Sequence, residues 1–391
     1  MKKRSIFSLT DKRINIAALI LVIFGSLMIA SAEMGNNAGD TSYLTSIIIR
    51  QLLYVVVGVV AYFILLYFRV YRLKTYLFWI VYFGLFASLI ACRFFGQIGG
   101  AYAWIQLGAG VTIQPSEFAK VFLIGFAGKL LGVDKGEKNV QNFWTFVVLA
   151  SLYFIIIFLY QHDFGSAVVL LVVSYCVLLV PDYRELRKHQ RIMKIIIFVV
   201  IGLALLVMSK PFTELLKAHS GNYMIGRFLA AADPFLYQYD NGYHLIMSLV
   251  SFANGGLFGL GYGNSIHKYM NFPNPSNDFI LPVIVEELGI VGFIGLIITY
   301  AVMLYPLISY SLKARFTSSK MVLLGVFLYF IVHFILNVGG VSGLIPLTGV
   351  PLLMISSGGS SLMASLASLG LAQSEIVRNR MIENENNSGE I

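Results

Sequence analysis

The chain has 391 residues, 58% of them hydrophobic and 12% charged, about half the charged share of an ordinary soluble domain. That excludes a soluble enzyme. The formal charge of +9 comes from Lys and Arg grouped in alternate polar connections, a pattern that marks membrane orientation and excludes nucleic-acid binding.

Apolar runs long enough to cross a bilayer core of ~30 Å recur along the chain without the alternation of outer-membrane strands. The fold class is therefore an all-α polytopic membrane protein. About ten transmembrane helices are predicted, at roughly 14–32, 44–68, 76–95, 114–131, 144–161, 164–181, 191–209, 279–311, 321–338 and 350–372. Basic residues mark one side: Lys2, Lys3, Arg4, Lys12 and Arg13 at the start, Arg69, Arg72 and Lys74, Lys129, Lys135 and Lys138, then Arg184, Arg187, Lys188, Arg191 and Lys194. Lys313, Arg315, Lys320, Arg378 and Arg380 complete the set, so both termini are cytoplasmic. The opposite side carries only Arg50, Arg93, Lys210, Lys217, Arg227 and Lys268, spread over more polypeptide.

Residues 1–13 form a basic cytoplasmic start, 14–372 the membrane domain, and 373–391 a polar cytoplasmic tail, disordered from Glu383 onward. Ala30-Ser31-Ala32 imitates a signal-peptide cleavage site, but the run before it nearly spans a membrane and is expected to be retained. One large extracytoplasmic loop, 210–278, is rich in aromatic and apolar residues and should fold against the outer helix ends. Cys92 and Cys176 lie inside apolar runs and form neither a disulfide framework nor a metal motif.

Charge at membrane depth is costly, so each such group marks a candidate site. Glu117 and Lys120 are three apart on one helix face, either as an internal ion pair or with Lys120 meeting an anionic ligand. Asp163 precedes a helix and fits an N-cap, and His162 beside it suits a headgroup contact. Asp278 follows a segment whose Pro273 and Pro275 forbid regular helix and precedes an apolar run. It stands at a helix start facing both water and lipid, where partial desolvation makes a carboxylate a usable base. Glu286 and Glu287 lie ~12–13 Å further along that helix and read as structural polar contacts. The glycines from Gly255 to Gly263 lack the strand and helix that a phosphate loop requires, and Ser357-Gly358-Gly359-Ser360-Ser361 permits close helix packing.

Four segments taken together resemble the SEDS (shape, elongation, division and sporulation) family typified by FtsW, RodA and SpoVE. They are Gly99-Gly100 with Gln114-Pro115-Ser116-Glu117-Phe118-Ala119-Lys120; Gln161-His162-Asp163-Phe164-Gly165-Ser166; a series from Arg227 through Asp233-Pro234, Gly242-Tyr243, Gly255-Gly256 and Lys268 to Asp278-Phe279-Ile280 and Glu286-Glu287-Leu288-Gly289; and Gly349-Val350-Pro351 with Ile355-Ser356-Ser357-Gly358-Gly359-Ser360-Ser361. The resemblance runs from about residue 14 to 372. It implies a peptidoglycan glycosyltransferase that polymerises lipid II at the outer face of the bacterial cytoplasmic membrane, working with a class B penicillin-binding protein and other divisome or elongasome proteins.

The resemblance places the essential acid at Asp278, which suits a general base for the acceptor hydroxyl. The leaving diphosphate needs cations, for which Arg227 and Lys268, with Lys120 behind them, are the candidates, and Glu117 and Asp163 are further candidate substrate-binding residues. It also implies a divalent cation, Mg or Mn, sharing that task, although no ligand cluster in the sequence identifies one. The chain departs from the family pattern at His162, at Tyr102-Ala103, at His244, at Phe272-Pro273-Asn274 and at Ser357. A lipid II flippase or a non-catalytic scaffold for the penicillin-binding protein are the alternatives. The ending from Ile355 to Ser361 leans to a division role, whereas Gly349-Val350-Pro351-Leu352 resembles the elongation type.

Overall fold

Asp11 begins the first long helix by accepting the Arg13 N–H at 2.9 Å, and the apolar run behind it stays helical until Glu33. The structure is a computed structural model that describes residues 6–35, 41–68, 73–108, 110–207, 223–239, 242–270 and 274–387. In chain order the helices are α1 (Lys12–Glu33), α2 (Thr41–Phe68), α3 (Thr75–Ala91), α4 (Pro115–Leu131), α5 (Lys138–Ile155, continued by a π turn to Tyr160), α6 (Phe164–Val177) and α7 (Arg187–Val207). Then come α8 (Tyr223–Ala232), α9 (Tyr243–Gly255), α10 (Ile280–Lys313), α11 (Thr317–Val341) and α12 (Gly359–Asn387). A small antiparallel hairpin, β1 (Ile105–Gly108) with β2 (Val111–Ile113), precedes α4.

Helices occupy each of the expected apolar runs. Among the described residues six are long and apolar enough to cross a membrane: Lys12–Glu33, Ser42–Tyr67, Thr75–Phe95, Lys138–Tyr160, Ile280–Lys313 and Thr317–Val341. Lys210 and Lys217 of the outer loop lie outside the described residues.

Two elements differ from the sequence expectation. The last helix starts at Gly359 rather than near 350, because Pro351 and the Ser356-Ser357-Gly358 turn hold residues 350–358 in irregular backbone. It then continues to Asn387, through residues expected to be a disordered tail. As far as Arg380 its polar side chains hold it in place: Arg380 reaches Asp11 and the Leu9 and Thr10 carbonyls, Gln373 bonds the Asp11 backbone, and Glu375 accepts from Ser319 at 2.6 Å. These contacts bring both ends of the described chain to the same basic end of the bundle.

The second difference is in α10, which would be about 50 Å long if straight. It is broken at Gly289, where φ is 69° and ψ is −170°, a conformation open essentially to glycine alone. A Cβ there would meet the Leu257 carbonyl oxygen at 2.3 Å. The chain around Gly255–Gly263 lies against the break and satisfies its backbone. Leu260 N donates to Glu286 O and Gly261 N to Glu287 O, both at 2.9 Å, while Ile290 N and Val291 N donate to Gly256 O and Leu257 O at 3.0 and 3.1 Å. Non-helical backbone at membrane depth needs such internal partners, and the glycine run supplies them.

At the centre, α12 packs against α2 through small residues. A Cβ on Gly370 would meet the Tyr62 carbonyl oxygen at 2.3 Å, and Ser365 and Ser368 return their hydroxyls to carbonyls of their own helix. Close backbone approach of this kind is how helices associate where lipid is as apolar as leucine.

Candidate functional site

The outer end of α4 starts with Pro115 in its first turn, where its missing N–H costs nothing. Glu117 and Lys120, on one face, form an ion pair of 2.7 Å with side chains 1% and 0% exposed. The pair is closed on every side: Tyr329 donates its hydroxyl to Glu117 at 2.9 Å, and His333 Nε2 lies 3.2 Å from Lys120 Nζ. Charges this deep are tolerable because each has partners in place of water.

Asp163 caps α6, its Oδ1 accepting the Ser166 N–H at 3.0 Å, and its Oδ2 accepts from Gln114 Nε2 at 2.7 Å. Desolvation by its neighbours pushes this carboxyl above the usual carboxylate range, against the Ser166 bonds that favour the charge. Gln114 N in turn donates to Ser360 Oγ at 2.8 Å, so α4, α6 and α12 are stitched together at one level. His162 is exposed beside them.

Asp278 lies on the turn before α10, and the cap position of that helix is Phe279, not Asp278. The turn is tied to three other elements. Asn337 on α11 donates to the Asp278 and Val350 carbonyls, both at 2.9 Å. Ser276 O accepts from Ser357 N at 2.7 Å. Ser276 Oγ donates to Glu33 at the end of α1, and Tyr43 on α2 donates to the same Glu33 at 3.2 Å. Asp278 is half-buried, whereas Glu117, Glu286 and Glu287 are fully buried. Tyr329, His333 and Asn337 follow one another at four-residue spacing on α11, hence on one face and ~6 Å apart along the axis. That stripe links the closed Glu117–Lys120 pair to the backbone of Asp278.

A second polar cluster sits under the glycine run. Lys268 Nζ lies 2.7 Å from Glu287 Oε1 and donates to Ser31 Oγ at 3.0 Å, and Ser31 donates to Glu287 at 2.6 Å. Glu287 also accepts from Gly263 N at 3.0 Å. Glu286 accepts from Ser265 Oγ, with His267 Nδ1 2.6 Å away. The two adjacent carboxylates thus serve different neighbours, as their helical offset requires.

The structure brings Glu117, Lys120 and Asp163 together at the outer ends of α4 and α6 and joins them to Asp278 through α11 and residues 350–360. Lys268 belongs to the separate buried cluster, with a fully enclosed side chain rather than an open loop position. Arg227 falls in α8, and its side chain lies outside the described residues. Among the described residues no group of three or more His, Cys, Asp or Glu side chains is placed to hold a metal ion. The described side chains around Asp278 therefore do not fit a protein-made cage for a divalent cation. Sequence reasoning missed Glu33, Tyr329, His333 and Asn337. The signal for the last three was present as a polar stripe with helical period inside an apolar run.

A family model described as cell cycle protein, covering FtsW, RodA and SpoVE, matches residues 12–380. Stage V sporulation protein E of Bacillus subtilis (strain 168) is 31% identical over 92% of this chain and 95% of its own length. A protein of the same organism described as a probable peptidoglycan glycosyltransferase FtsW is 32% identical over 73% of this chain and 69% of its own. A solved structure from work on the structural coordination of polymerization and crosslinking by a peptidoglycan synthase complex has the same fold, with a TM-score of 0.68, 24% identity and coverage of 95% of this chain and 98% of that one.

Proposed function

The chain belongs to the FtsW/RodA/SpoVE family of cell cycle proteins, and on that premise we propose that it is a multi-pass bacterial membrane enzyme, a peptidoglycan glycosyltransferase that polymerises lipid II at the outer membrane face. The observation that carries this reading is Asp278: a half-buried carboxylate on a turn fixed by α1, α11 and residues 356–358, at the bundle end opposite the basic termini.

The chemistry follows from that placement. The acceptor sugar 4-hydroxyl attacks the anomeric carbon of a lipid-linked sugar; its proton passes to Asp278, and the anomeric C–O bond breaks as the diphosphate departs. A positioned base contributes ~10²–10⁴-fold to such a step. The departing diphosphate needs cationic stabilisation, and Arg227 on α8 is the cation assigned to it. Lys120 and Lys268 act one step removed, holding the walls of the site through Glu117 and Glu287. Glu117 and Asp163 keep α4 and α6 in register beneath the substrate. A class B penicillin-binding protein is the proposed partner that crosslinks the product.

The test is polymer formation from lipid II by the purified protein with that partner. Asp278→Asn should abolish glycan strands while folding and partner capture persist. Undiminished strand yield removes the assignment of Asp278, and transbilayer movement of labelled lipid II untouched by the substitution favours a flippase.

A further inference from the structure

At the other end of the bundle, α7 leaves the basic connection after α6 with Arg187, Arg191 and Lys194 in its first turns. Their spacing of four and three puts them on one helix face. Between that face and the chain corner at Leu179, Pro181 and Asp182 lies a cavity of about 450 Å³, within the size range of small-ligand pockets.

The cavity is held open by the fold. Gln190 is buried and donates to both the Leu178 and Pro181 carbonyls, at 3.1 and 2.6 Å, fixing the start of α7 to the end of α6. Asp182 is engaged with Arg187 at 3.2 Å. Arg191 and Lys194 are exposed and have no hydrogen-bond or ion-pair partner among the described residues. The cavity thus presents two unneutralised cations.

Its position narrows the ligand. Tyr183, beside the corner, donates to the Leu131 carbonyl at the inner end of α4, so the cavity lies at the basic end shared with Asp11 and Arg380. One turn further along α7, Ile195, Phe198 and Val199 are exposed, with Phe198 at 75%. Cations at headgroup level above an outward apolar ladder match an amphiphile whose phosphate and chains are held at different heights. The inner leaflet also carries the negative surface potential that attracts such cations.

We propose that this cavity is a binding site for the phosphate headgroup of an anionic phospholipid, whose acyl chains lie along the outer face of α7. The proposal is independent of the glycosyltransferase reading, since the cavity stands at the opposite end of the bundle from Asp278.

The test uses delipidated full-length protein in detergent, titrated separately with phosphatidylglycerol, phosphatidylcholine and inorganic phosphate and read by native mass spectrometry. Phosphatidylglycerol should be retained over phosphatidylcholine. Arg191→Ala with Lys194→Ala should weaken that retention about 30-fold, each cation contributing about fivefold near an anionic surface. The charge-conserving pair Arg191→Lys with Lys194→Arg should retain the lipid, which separates lost charge from lost folding. Equal retention by the alanine variant, loss of retention in the charge-conserving pair, or displacement of the lipid by millimolar inorganic phosphate would each overturn the proposal.

Discussion

The two halves of α10 obey different rules. From Ile280 to Glu287 every residue is buried, two adjacent carboxylates included. Below the break at Gly289 the same helix turns an apolar face outward, with Val291 54% and Ile298 57% exposed. Both halves sit in one span by length and composition. What decides whether charge is tolerated is enclosure by protein rather than depth alone: the upper half has α1, α9 and the glycine run around it, and each acid finds a donor there.

Several substitutions sharpen or break that contrast. The largest effect belongs to Asp278, at the head of the upper half: Asp278→Asn should lower strand formation by ~10²–10⁴-fold in a gel assay of labelled lipid II, with the thermal midpoint unchanged. A lowered midpoint with surviving turnover would make Asp278 part of the enclosure instead. Next is Glu287→Gln, which strands the buried Lys268 and should destabilise the fold by about 3–5 kcal/mol in chemical unfolding. Replacing both partners by Met should recover most of that loss. Ile284→Ala in the enclosed half should cost about 2–5 kcal/mol, whereas Ile298→Ala on the lower, outward face should stay within about 0.5 kcal/mol; equal costs would mean the halves are not different environments. Asn337→Ala, which releases the Asp278 and Val350 carbonyls, should cost about 1–3 kcal/mol, between those two. Its turnover should fall more than its apparent substrate affinity, measured as kcat against KM.

The bilayer made the fold class readable, because it dictates span length and cation placement. The Glu117–Lys120 pair was legible for a local reason, since residues three apart on a helix share a face. Lys268 was not legible, because its partner Glu287 lies 19 residues away and is met only once the loop after the glycine run folds against α10, which nothing local announces. The glycine run, read as no phosphate loop, had a role that exists only once α10 is broken beside it. Asn337 escaped notice for a different reason: it acts on backbone carbonyls, which leave no mark on the sequence around Asp278.

The last turn of α1 is joined to the rest of the bundle twice, by Ser31 at the Lys268–Glu287 pair and by Glu33 at the turn carrying Asp278. A leader peptidase cutting after Ala32 would strip the first hydroxyl away and leave Glu33 on a loose new end with no helix to hold it. A version of the protein with a foreign leader in place of α1 loses both contacts and should assemble in the membrane yet form fewer glycan strands in the lipid II assay.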